Sequence, residues 1–90
     1  MDTSPDRYLQ AARRASTERR YAQAIAHFET EWGGLLPASS ESVVRYLTHY
    51  GEQLTSRTLR VHLAALARWH QQLGFPDPTK SYRVRDTLEG

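Results

Sequence analysis

The chain has 90 residues, 39% of them hydrophobic and 24% charged, with no cysteine and a formal net charge of +2. That length predicts one small domain, 1–90, with a modest core, because so short a chain buries only about 60–65% of the surface its unfolded form exposes. The composition excludes a disulfide framework and thiolate metal sites. No apolar run approaches the roughly 18–20 residues of a membrane span, and the opening Met1-Asp2-Thr3-Ser4 does not read as a signal peptide.

The pattern predicts an all-α chain of four to five short helices, arranged as a compact orthogonal bundle. Ser4 caps the first helix, residues 5–15, with Pro5 in the first turn, where its missing N–H costs nothing. Ser16-Thr17 then interrupts, and Thr17 caps a second helix, 18–32. Tyr21, Ile25, Phe28 and Trp32 form its inward stripe at helical spacing. Gly33-Gly34 ends it, because glycine readily turns left-handed past a helix end. After the connector Leu35-Leu36-Pro37-Ala38, residues 39–42 open a third helix that turns Val43, Val44, Leu47 and Tyr50 inward and stops at Gly51. Thr55-Ser56 caps a fourth helix running to Leu73, with Leu59, Leu63, Leu66, His70 and Leu73 inward and Trp69 and His62 at the margin. Gly74-Phe75-Pro76-Asp77-Pro78 ends it, since two prolines cannot continue a helix. A last short helix runs from Ser81 to about Leu88.

The small net charge hides an uneven spread. Residues 7–20 hold five arginines against Glu18, a balance of +4, and residues 54–73 hold three arginines and no acid. Residues 21–53 balance to −3. Two basic segments separated by an acidic one are the footprint of a polyanion partner. On the fourth helix Arg57, Arg60 and Arg68 lie opposite the leucines, over a floor that includes Val61 and Ala64. On the second, Arg19, Arg20, Gln23 and His27 lie opposite the apolar stripe. Arginine pairs bidentately with guanine, glutamine with adenine, and both bind phosphate. Each set sits near a predicted helix start, where exposed N–H groups and the helix dipole favour anions.

Enzymatic readings find little support. There is no Ser/His/acid spacing, glycine-rich phosphate loop or HExxH. The histidines occur as isolated pairs, short of the three or four ligands a zinc site needs. His70, in mid-stripe, reads as a core imidazole bonded to a backbone carbonyl. The expectation is therefore no catalytic residue, no metal, no cofactor and no small-molecule substrate.

Several local patterns together resemble a known family. Thr17 and Tyr21 are followed by Phe28 and Trp32, then LPAS at 36–39 and V-x-x-Y-L at 43–47. TSRTLRVHLAAL at 55–66, RWH at 68–70, LGFPDPT at 73–79 and V-R-D-x-L-x-G at 84–90 complete the series. In order and spacing this resembles the N-terminal core-binding domain of tyrosine recombinases of the phage-integrase type, in its Cre-like branch, over residues 16–90.

The resemblance implies a SAM-like helical fold and a DNA-binding role in recombination or integration. The domain would form half of a clamp on double-stranded DNA, with its second and fourth helices in the major groove and its outer helices meeting neighbouring protomers in a synaptic assembly. By position it implies DNA contact by Thr17, Arg19, Arg20 and Gln23, and by Arg57, Thr58, Val61 and Ala65. The charge and capping pattern adds Thr55, Ser56, Arg60 and Arg68. The family's nucleophilic tyrosine belongs to a separate C-terminal domain, so the chain itself is not expected to be an enzyme. The resemblance also places it in the cytoplasm, with a bacterial, phage or mobile-element origin. The alternative expectation is a SAM-like protein–protein interaction module that does not bind DNA.

Overall fold

A computed structural model describes residues 5–89, so the predicted cap at Ser4 and the closing Gly90 lie outside the described residues. Four α-helices account for most of the fold, and no strand occurs among the described residues: α1 (Pro5–Ala26), α2 (Ser40–Tyr50), α3 (Ser56–Leu73) and α4 (Tyr82–Glu89). A π-helical turn, His27–Glu31, extends α1, and a short 3-10 turn, Pro78–Lys80, precedes α4. The chain is thus a small all-α bundle, as the sequence predicts.

One boundary departs from expectation. Residues 5–26 form a single helix with no break at Ser16-Thr17. Between Asp6 and Trp32 there is neither glycine nor proline, and alanine recurs. Once nucleated, such a helix gains a hydrogen bond with each added residue, which outweighs the weak capping preference of one serine and one threonine. The merged helix is about 33 Å long at 1.5 Å per residue and underlies the elongated 48 × 29 × 25 Å envelope. Every residue from 5 to 15 is exposed, including Tyr8 at 75% and Leu9 at 50%.

The other ends follow local chemistry. The Trp32 N–H reaches the His27 carbonyl at 3.1 Å, and the Gly34 N–H reaches that of Phe28 at 2.8 Å. Gly33 takes a φ of +80°. A Cβ on Gly34 would stand 2.4 Å from the Phe28 ring, so the chain can fold back over that ring only with glycine here. The Leu36–Pro37 peptide is cis. Ser39 caps α2 by accepting from the Ser42 N–H at 3.1 Å, and Thr55 caps α3 by accepting from the Thr58 N–H at 3.1 Å. Gly74, with φ +80°, closes α3 as predicted.

The core joins Phe28, Val43, Tyr46, Leu47, Tyr50, Leu59, Leu63, Leu66 and Val84, with Ile25 and Trp32 packed against it. Two assignments change. Tyr46, absent from the predicted inward set, is completely buried, whereas Leu73, the last residue of α3, is 58% exposed. His70 behaves as expected and does more. Its Nδ1 donates to the Leu66 carbonyl at 2.7 Å, and its Nε2 accepts from the Ala38 N–H at 2.8 Å, pinning the connector to α3. One partner only accepts and the other only donates, so the ring is a single neutral tautomer with both nitrogens satisfied.

Candidate nucleic-acid interface

Helices α1 and α3 pack against each other, as do α2 and α4. Ala24 on α1 and Ala65 on α3 are both buried and lie outside the aromatic–aliphatic cluster. Small side chains of this kind allow two helices to approach closely, and a groove opens on each flank of the pair.

The first groove, of about 270 Å³, is lined by Arg20 and Gln23 of α1 and by Arg57, Thr58, Val61 and His62 of α3. Five of these residues belong to the sequence-predicted site, and the fold brings them together from segments more than thirty residues apart. No carboxylate lines the groove, and neither Arg20 nor Arg57 forms an ion pair among the described residues. Arg57 lies in the first turn of α3, where Thr55 satisfies the Thr58 N–H and also donates its hydroxyl to the Thr58 Oγ1 at 2.9 Å. The earlier N–H groups of that turn have no acceptor within the helix and suit an anion.

The remaining predicted residues are placed differently. Thr17 and Arg19 are exposed on α1, outside the groove lining. Because α1 is continuous, Thr17, Arg19 and Arg20 are mid-helix. Their N–H groups are consumed by the helix, so the expected second helix start does not exist and only side chains act there. Ser56 faces the surface between α2 and α4, beside Leu47, Thr48 and Thr87. Arg60 lies on the opposite flank of α3, beside Ala64, Arg85 and Glu89. Ala65 is only 2% exposed and is a packing residue, not a contact for DNA.

Arg68 lies on the other groove and has a partner within the chain. It forms a bidentate pair with Glu18 at 2.9 and 2.7 Å, and its guanidinium sits 4.6 Å from the centre of the Tyr21 ring. This hydrogen-bonded pairing lowers the Glu18 pKa and raises that of Arg68. The pair lines the second groove, of about 430 Å³, with Ile25, Glu29 and Trp69. Of the three arginines on α3, then, only Arg57 faces the first groove.

Sequence reasoning missed the hydrogen-bonded cluster behind the His62 wall of the first groove. The Tyr46 hydroxyl lies 2.7 Å from Nδ1 of His27 and 2.6 Å from Nδ1 of His62. Burial, reinforced by Tyr50, pushes the Tyr46 phenol pKa up, so the hydroxyl keeps its proton. Burial, followed by the proximity of His27, holds His62 below the ordinary imidazole value. The burial of Tyr46 was detectable, since Val43, Tyr46, Leu47 and Tyr50 fall on one arc at helical spacing. The bond itself joins residues 19 and 16 apart in sequence, and no local pattern announces it.

No group of three or more metal-ligating side chains that could hold an ion occurs among the described residues, and no described helix is long and apolar enough to cross a membrane. No protein-family model, curated protein or solved structure matches the chain.

Proposed function

We propose that this chain is a DNA-binding module, the core-binding domain of a site-specific tyrosine recombinase of the integrase type, gripping duplex DNA through the second half of α1 and the start of α3. One observation carries the reading: among the described residues, two arginines without an ion pair, a glutamine and the first turn of α3 line one groove that has no acid. Val61 gives that groove an apolar patch suited to a thymine methyl group. In this reading the chain is not itself an enzyme, and strand cleavage belongs to a separate catalytic domain. Its partners are double-stranded DNA and neighbouring recombinase protomers, in the cytoplasm of a bacterium or in a phage or mobile element.

The test is a low-salt fluorescence titration with a short duplex. Arg20→Ala with Arg57→Ala removes most of the binding, while Arg83→Ala with Arg85→Ala, an equal loss of charge on α4, removes little. Equal losses from the two pairs would reduce the attraction to nonspecific charge and defeat the assignment.

A second reading, a helical protein-interaction module, is favoured by the exposed half of α1 with Tyr8 and Leu9 and by Tyr82 on α4, which is 79% exposed. Sedimentation at high concentration separates the two: self-association without DNA, together with no duplex binding at low salt, selects the second.

A further inference from the structure

Behind the His62 wall of the basic groove runs a hydrogen-bonded chain, His27–Tyr46–His62, with its middle member completely buried. A phenol has one proton to donate, so two Nδ1 atoms can share its oxygen only in complementary states. One imidazole donates Nδ1–H to Tyr46, and the other accepts the Tyr46 O–H. Among the described residues neither Nε2 has a protein partner, yet no buried side-chain nitrogen or oxygen is left unsatisfied, so both Nε2 atoms reach solvent. His62 lines the groove beside Arg20 and Arg57.

This arrangement accepts one extra proton without losing a hydrogen bond. When His62 is the donor to Tyr46 and Tyr46 donates to His27, a proton from solvent adds at Nε2 of His62. When the polarity is reversed, a solvent proton adds at Nε2 of His27. The His27 Nδ1 proton then passes to the Tyr46 oxygen and the Tyr46 proton to Nδ1 of His62. Either ring can carry this single charge, and a phosphate beside Arg20 and Arg57 draws it to His62, the ring that lines the groove. A second proton is refused, because two N–H groups would then point at one oxygen and the phenol would have no acceptor.

We propose that His62 is a proton-dependent contact for the nucleic-acid backbone, taking up one proton as a phosphate enters the groove while Tyr46 and His27 hold its ring. The proposal rests on the DNA-binding reading above. The groups around the ring are Arg20 and His27 from α1 and its π turn, Tyr46 from α2 with Tyr50 behind His27, and Arg57 on α3 itself. None is a carboxylate, so the free groove offers the proton no counter-charge and a bound phosphate supplies it. Proton uptake and DNA binding are then reciprocally linked.

The test is a duplex titration of the whole chain across a salt series, at pH 8 and at pH 6. The wild-type chain binds more tightly at pH 6, by up to about tenfold per pH unit where the linkage is steepest. Its log–log salt slope is steeper there by about 0.9, the signature of one more phosphate contact. In His62→Gln both differences vanish. In His49→Gln, whose ring packs on Tyr50 and lies outside the groove lining, both remain. Imidazole nitrogen shifts report the site directly: at pH 7 the His62 ring becomes doubly protonated on adding duplex. Tyr46→Phe, if it folds, abolishes the one-proton limit; should it not fold, His27→Gln, whose amide still meets the Tyr46 hydroxyl, keeps the pH difference, and its loss there would overturn the assignment of the proton to His62. Duplex binding with the same affinity and salt slope at both pH values would overturn the proton link while leaving the DNA-binding reading intact. No duplex binding by the wild-type chain at low salt would overturn both.

Discussion

The α1–α3 pair carries a groove on each flank, built from the same two helices yet opposite in electrostatic character. On one flank Arg20 and Arg57 face a space without a carboxylate. On the other, Arg68 pairs with Glu18 and lies against Tyr21, with Glu29 nearby. Both flanks contain arginine, so arginine alone does not distinguish them. The difference lies in whether the guanidinium already has a partner. A paired arginine must surrender a bidentate carboxylate before it can take a phosphate, whereas an unpaired one needs only to shed water. The first groove therefore keeps two positive charges without a carboxylate, whereas in the second two carboxylates outnumber the single arginine.

The contrast can be broken most severely by reversing charge. Arg20→Glu with Arg57→Glu should weaken duplex binding by more than about a hundredfold at low salt, since it replaces two attractions with two repulsions. An equilibrium titration with circular dichroism as a fold check measures this. Prising the helix pair apart comes next. Ala65→Leu should destabilise the fold by about 1–3 kcal/mol through overpacking, read from urea unfolding, because Ala65 is only 2% exposed and a longer side chain must displace its neighbours. An unchanged midpoint would show that Ala65 is not at a tight crossing.

A subtler effect follows from His62. Its imidazole is held below the ordinary value by burial and by His27. The unfolded chain therefore binds this proton more readily than the folded one. The stabilisation is complete above about pH 6.5 and is lost as the pH falls through the folded value. Thermal melts from pH 8 to pH 5 should show a decline that is shallower in His62→Gln. The smallest effect belongs to the second groove. Arg68→Ala should leave duplex affinity within about threefold and the melting temperature close to wild type, as exposed ion pairs contribute little. A loss comparable to that of Arg57→Ala would erase the distinction between the flanks.

Much of this was legible in the sequence, for local reasons. The caps at Ser39 and Thr55 and the glycines at 33 and 74 act within a few residues of themselves, so their roles can be read directly. The stripe of Leu59, Leu63, Leu66 and His70 follows from helical period alone. Thr17 misled because a residue that can cap a helix also tolerates its interior, and only what surrounds it decides. The groove was half visible. Periodicity placed Arg57 and Val61 on one side of α3, but it could not tell that Ala65 on that same side would be covered by α1. Nor could it pair Glu18 with Arg68 across 50 residues. Which positive charges stay available is settled by tertiary contacts, and those leave no mark in local spacing.

The central claim is that Arg20 and Arg57 meet phosphate together, and the salt dependence of duplex binding tests it most directly. For about five phosphate contacts the wild-type log–log slope should lie near −4 to −5, and Arg20→Ala with Arg57→Ala should make it shallower by about two. A double variant that binds more weakly but keeps the wild-type slope would contradict the account, because the lost affinity would then not be the loss of contacts to the DNA backbone.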